Sequence, residues 1–200
     1  MKPFSFTRQL SGKIRKPDAN KDMETIRLRP MVLDDLQRFN NINLDYWTEM
    51  YTTSFYTTYL IKDPDLCVVA ESSSGALAGY LLAKVEGTGL DWHSHISAIS
   101  VSPEFRKLGV ARKLLDYFET VSEDTHFCYF ADLYVRVSND VAIEMYRKRG
   151  YEVFRVVTGY YSGEEDAYDM RKPLKRDDGR KSLIGAGKRV RPEELPDYSD

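Results

Sequence analysis

The stretch Val101-Ser102-Pro103-Glu104-Phe105-Arg106-Lys107-Leu108-Gly109-Val110-Ala111 concentrates residue types that hold an anion through the backbone. An apolar run ends at Val101, Pro103 breaks it, a short basic loop follows, and a helical pattern starts at once. The first N–H groups of a helix have no partner within it and sit at the positive end of its dipole. A helix opening on such a loop therefore aims donors and charge at whatever lies above it. Gly109 lets the backbone approach closely, Ala111 keeps the first turn uncluttered, and Arg106 and Lys107 add charge. A pyrophosphate is the natural guest. The pattern is short, however, and taken alone it also describes an ordinary helix start.

Other residues able to do chemistry are few. The chain has three histidines and two cysteines. Cys67 and Cys128 sit in apolar runs and, together with the histidines, lack the spacing of a zinc set, so no metal site is expected. Buried thiols suit a reducing compartment, and the expected location is cytoplasmic. His93 and His95 share one face of a strand by alternation. His95 is expected to lie well inside and His93 to be exposed.

The elements that must position these groups follow from periodicity. Thr25 to Arg29 alternates as a strand closed by Pro30. Asp34-Asp35 open a helix (Leu33–Leu44) with Leu33, Leu36, Phe39 and Asn40 on its inner face. A second helix is expected from about residue 49 to 60, ended by Asp63-Pro64. Strands are expected over Leu66–Glu71, Ala76–Glu86 and His95–Val101, the first two joined by Ser-Ser-Ser-Gly. From Val110 the period becomes helical, with Val110, Leu114, Leu115, Phe118 and Val121 on one stripe. Phe127–Val137 reads as a buried strand. Ser138 or Asn139 caps the next helix, which Gly150 ends. Tyr151–Ser162 and Ala167–Lys172 read as a closing pair of strands. The order β-α-α-β-β-β-α-β-α-β-β gives one α/β (α+β) domain with a mixed sheet.

Composition bounds the rest. Of 200 residues, 42% are hydrophobic and 30% charged, which excludes a chain disordered throughout. The longest apolar stretch, Ala76–Ala83, is far short of the roughly 20 residues that span a bilayer, so no membrane partner is expected. Residues 1–22 carry six Lys/Arg against Asp18 and Asp22 and read as a flexible basic leader, with 23–172 as the folded domain. Residues 173–200 read as a charged tail, surface-hugging or disordered. The middle of the chain is acidic, which argues against direct DNA binding.

Beyond these readings, the run V-x-P-E-F-R-K-x-G-V-A, between a strand and a helix, resembles the acetyl-CoA loop of the GNAT acetyltransferase superfamily. Arg136-Val137-Ser138-Asn139 and Ala142-x-x-Met145-Tyr146-x-x-x-Gly150-Tyr151 resemble its second cofactor-facing helix. The strings Arg38-Phe39-Asn40-Asn41-Ile42-Asn43-Leu44-Asp45, Trp92-His93-Ser94-His95 and Asp166-Ala167-Tyr168-Asp169-Met170-Arg171-Lys172 narrow the likeness. With Tyr160-Tyr161 and Val190-Arg191-Pro192-Glu193-Glu194, they resemble the catalytic subunits of NatB N-terminal acetyltransferases over about residues 23–195.

The resemblance implies the GNAT fold, a mixed and mostly antiparallel sheet flanked by helices. It implies co-translational acetyl transfer from acetyl-CoA to the α-amine of nascent proteins beginning Met-Asp, Met-Glu, Met-Asn or Met-Gln. The partner would be a large helical-repeat auxiliary subunit that binds the ribosome, and Tyr46, Trp47 and Phe55 are either its contact or core. Ile99 and Val101 would offer backbone groups to the pantetheine arm, and Arg106, Lys107, Leu108, Gly109, Val110 and Ala111 would hold the pyrophosphate. Asn139 would bind the pantetheine amides or simply cap its helix. Tyr146 would stabilise or protonate the departing thiolate.

An α-amine has a pKa of about 7.7–8.0, so a modest acceptor suffices to deprotonate it. Glu49, His95, Tyr160 and Tyr161 are the candidates. Glu49 also lines the expected peptide entrance. His95 would either hydrogen-bond the side chain of substrate residue two or relay a proton. Of Tyr160 and Tyr161, one would face the substrate and the other the core. The Glu86–Asp91 and Tyr160–Ala167 connections are short for this pattern, and both lie near the expected peptide groove. A GNAT enzyme acting on lysine side chains or a small amine is the alternative.

Overall fold

Alternating apolar strands and two amphipathic helices build one mixed sheet, seen in a computed structural model that describes residues 26–43 and 51–198. The leader 1–22, Thr25, the side chain of Asn40, and Leu44, Tyr46, Trp47 and Glu49 lie outside the described residues. The strands are β1 (Arg27–Pro30), β2 (Cys67–Glu71), β3 (Leu77–Glu86), β4 (His93–Val101), β5 (Phe130–Arg136), β6 (Glu152–Tyr161), β7 (Glu165–Pro173) and β8 (Lys188–Val190). Their order is β1-β2-β3-β4-β5-β7-β6-β8. Neighbours are antiparallel except β4 with β5 and β6 with β8. The α-helices are α1 (Thr53–Lys62), α2 (Val110–Asp124) and α3 (Asp140–Lys148).

One face of the sheet packs on α2 and α3. Helix α2 buries Val110, Leu114, Leu115, Phe118 and Ser122, the expected stripe with Val121 left half-buried. Burying a ring such as Phe118 stabilises by about 2–3 kcal/mol relative to exposing it. Asn139 caps α3 by accepting from the Ala142 N–H at 3.2 Å, and Gly150 ends it in the left-handed conformation. Arg149 at that end reaches Glu119 and Asp116 on α2 and ties the two helices together.

On the other face, Leu33–Asn41 forms a 3₁₀ helix rather than an α-helix, and with α1 it covers β2 and β3. Phe39 stacks on Tyr80 at 4.2 Å, whereas Leu33, the first residue of the helix, is exposed. Phe55 is half-buried and stacks on Tyr51. Asp35 accepts from the Val32 N–H and grips Arg29 at 2.7 and 2.8 Å. Burial opposes its charge, but Arg29 outweighs it and keeps the carboxyl below its usual range.

The expected strand start at Phe127 is not observed: Phe127 has φ +52° and is exposed, and β5 begins at Phe130. Residues after Pro173 are structured up to Tyr198. Asp177 caps a short turn through the Lys181 and Ser182 N–H groups, and Lys188–Val190 then adds β8 beside β6.

Candidate active site

The parallel ladder of β4 and β5 runs only from His93↔Phe130 to Ile96↔Leu133, although β4 continues to Val101 and β5 to Arg136. On its other side, β4 shifts register against β3 between Leu82 and Ala83, which makes Ser97 the extra residue of a bulge. Bulges bend a strand and increase its twist, so β4 swings away from β5 beyond this point. Tyr59 and Tyr51 fix the bulge, through Ser97 Oγ at 2.7 Å and Ser97 O at 3.2 Å.

The parting opens a cavity of about 450 Å³. Ile99, Val101 and Arg106 line one side, Asn139 and Tyr146 another, and His95, Tyr160 and Tyr161 a third. Eight residues singled out in the sequence, spread over some 66 positions, thus meet at one place. Gly109 and Val110 line a smaller cavity of about 220 Å³ with Arg112 and Lys113, while Lys107, Leu108 and Ala111 line neither.

The loop before α2 has the geometry its residues imply. Lys107 has φ +62°, and Gly109 caps the helix with φ +81°, both in the left-handed region. That turn sends the chain straight into α2, whose first N–H groups point off its end. With Arg106, Arg112 and Lys113 nearby in sequence, these donors suit a phosphate. A split sheet also suits an extended amide-bearing arm, which hydrogen-bonds as a strand does.

Tyr146 is buried, and burial pushes its phenol above the usual value of 10. Its ring packs edge-on against Tyr151 at 5.6 Å. His95 Nδ1 lies 2.8 Å from Asp132 Oδ1, which orients the ring and leaves its Nε2 edge for a guest in the cavity. Asp132 is buried; desolvation opposes its charge, but His93 and His95 more than offset that and keep it well below the ordinary carboxylate range.

Two expectations are corrected. His93 is buried, 1% exposed, stacked on Phe130 at 4.5 Å with Tyr198 against its edge at 5.3 Å. The strand pattern gave its face, but the C-terminal segment covers that face. Tyr160 and Tyr161 both line the cavity and neither enters the core. The β6–β7 register jumps from Val157↔Ala167 to Tyr161↔Glu165, with Gly159 at φ +63°, so simple alternation fails there. Tyr160 lies 4.8 Å from Tyr134, and the Arg136 guanidinium sits 4.0 Å over Tyr161.

Tyr134 and Asp132 were missed by sequence reasoning, and Arg136 was noted only as part of the motif before Asn139. Asp132 within the apolar run Phe130–Val135 was the available signal, since a charge in a buried strand needs a partner. Cys67 and Cys128 are buried free thiols, which burial pushes up to about 12, too high for reactivity. Among the described residues, no group of three or more His, Cys, Asp or Glu side chains is placed to hold a metal. None of their helices is long and apolar enough to cross a membrane.

Comparison with known proteins bears on this site directly. Residues 36–151 match the acetyltransferase (GNAT) family. The chain is 54% identical to N-alpha-acetyltransferase 20 of Dictyostelium discoideum over 157 residues, 78% of this chain and 91% of that protein. It is 47% identical to the N-terminal acetyltransferase B complex catalytic subunit NAA20 of Arabidopsis thaliana, covering 84% of this chain and 97% of that one. Among solved structures it resembles Chaetomium thermophilum Naa20 in complex with a bisubstrate analogue. The TM-score is 0.79 and the identity 38%, over 84% of this chain and 97% of that one. The fold is therefore that of a GNAT acetyltransferase, and the chain belongs to the family of NatB catalytic subunits, acyltransferases that use acetyl-CoA to acetylate protein N-termini.

Proposed function

We propose that the acceptors are proteins beginning Met-Asp, Met-Glu, Met-Asn or Met-Gln. The observation that carries this reading is the cavity at the parting of β4 and β5, which sets Tyr146 in one wall and the Asp132-held His95 in another. Acetyl-CoA supplies the thioester. The main chain of Ile99–Val101 holds its extended arm, and Arg106 with the loop Lys107–Ala111 holds its phosphates. Asn139 acts first as the cap that fixes the start of α3.

The incoming ammonium has to lose a proton before it attacks. In this reading His95 takes it, because an imidazole donating from Nδ1 to a carboxylate keeps its lone pair on Nε2. In its protonated form the same nitrogen donates to the side chain of residue two. Tyr160 and Tyr161 border the peptide. Tyr146 serves the leaving group. A phenol held above 10 is a weaker acid than a thiol of about 8.5, so it stabilises the thiolate by donating a hydrogen bond rather than by giving up its proton.

The Arabidopsis relative is named as the catalytic subunit of a complex. We place this chain likewise beside a large helical-repeat auxiliary subunit that brings it to the ribosome, acting on nascent chains in the cytoplasm. The test is an acetyl-transfer assay on protein purified with its native partners. The peptides begin Met-Asp, Met-Asn, Met-Leu and Ser-Ser, with an N-blocked peptide bearing one lysine as the fifth. Transfer to the first two alone is expected; transfer to the lysine alone would sink this reading.

A further inference from the structure

Two histidines stand two residues apart on β4 and share one carboxylate. His95 Nδ1 is 2.8 Å from Asp132 Oδ1, and His93 Nε2 is 3.7 Å from Asp132 Oδ2. Only His95 lines the cavity. His93 lies behind it, with Nδ1 2.5 Å from the Asp91 carbonyl oxygen and Nε2 3.5 Å from Glu86 Oε1. Both of its ring nitrogens therefore face acceptors, the surroundings of an imidazolium.

We propose that His93 is a positioning residue: a buried cation that balances Asp132, sets the proton count on His95, and so sets the preference between acidic and amide side chains at the substrate's second residue. The proposal rests on the reading of His95 as the residue that meets that side chain. Neutral His95, donating from Nδ1 to Asp132, offers a lone pair at Nε2. It accepts from the NH₂ of Asn or Gln and offers a carboxylate no donor of its own. Doubly protonated His95 donates from Nε2 and pairs with Asp or Glu. An unbalanced Asp132 anion favours the second state, and a cation on its other oxygen opposes that.

The remaining charges around the pair do not replace His93. On β3, Lys84 is paired with Glu86, so their charges largely cancel. On β7, Arg171 stands opposite Asp132 in register and approaches Asp169, which also binds Arg155 of β6 at 2.7 Å. On the cavity side, Tyr134 of β5 flanks His95 and Tyr160 of β6 follows it. From the C-terminal segment, Tyr198 packs on His93 and donates to the Asp91 carboxylate, which closes this side.

The experiment compares kcat/KM for Met-Asp and Met-Asn peptides between pH 6 and 9, using the partner-bound wild type and His93→Gln. Glutamine keeps a donor for Asp132 and loses the charge. The Met-Asp to Met-Asn ratio is expected to rise roughly 3- to 10-fold in the variant, with its pH dependence displaced upward. An equal loss on both peptides is what a merely structural role predicts and overturns the proposal. A wild type that acetylates neither peptide overturns the acceptor reading and the proposal with it.

Should His93→Gln fail to fold, ¹⁵N shifts of the three histidines in the wild type decide the matter. His93 doubly protonated at pH 7 beside a His95 protonated at Nδ1 supports the proposal; a neutral His93 overturns it.

Discussion

Tyr146 and His95 face one cavity from different walls, and their surroundings suit the opposite tasks proposed for them. Burial keeps the Tyr146 proton in place, so the side chain is a standing donor. Asp132 orients His95 so that its outer nitrogen can take a proton. Tyr146→Phe removes the donor and leaves the ring packed against Tyr151. We expect kcat to fall about 100-fold with the KM for acetyl-CoA little changed, read by steady-state kinetics. A variant turning over at the wild-type rate would make Tyr146 a packing residue only. These residues were legible because a helix motif carries Tyr146 and the string Trp92-His93-Ser94-His95 carries His95. Asp132 was not, since its role appears only when β5 is laid beside β4 and its carboxylate meets both histidines.

The elements that carry the site differ in how clearly their sequences announce them. The stripe of α2 and the Asn139 cap of α3 are local patterns, and they emerge as expected. Asn139→Ala deletes the bond to the Ala142 N–H, and about 1 kcal/mol of stability should go with it in denaturant unfolding. Its effect on KM for acetyl-CoA then separates a cap from a ligand contact, for a cap alone moves stability and leaves KM in place. The bulge at Ser97 and the register jump before Tyr161 were hidden, because an inserted residue is defined only against its partner strand. Strand β8 was hidden for another reason. Lys188-Arg189-Val190 is a short edge strand with no apolar alternation to betray it, and its pairing with β6 is long-range.

Across the whole molecule, stability is linked to pH through the charges that the sheet buries. For His93, burial alone would discourage the proton, but Asp132, Glu86 and the Asp91 carbonyl outweigh it and hold the group at about 9, above its ordinary 6.5. A raised value means that the folded chain binds the proton more tightly than the unfolded one. Its contribution is complete below about pH 6.5 and is lost as pH climbs through 9. Asp35 and Asp132 act in the opposite sense: their contributions are complete above the ordinary 3.8 and fade as acid titrates them in the folded state. Unfolding free energy should therefore fall on both sides of a plateau at mildly acid pH, and His93→Gln should flatten the alkaline limb. A wild-type profile level from pH 6.5 to 9 would refute this linkage.

The short ladder between β4 and β5 carries a consequence for the life of the protein in a cell. Only four residue pairs join these strands, so a guest lying along the parting works as part of the sheet. A molecule that binds the folded chain and not the unfolded one adds stability with the logarithm of its concentration, about 2.7 kcal/mol at a hundred times its dissociation constant. Acetyl-CoA bound along the parting should thereby slow proteolysis of the folded chain, read by limited digestion with and without it.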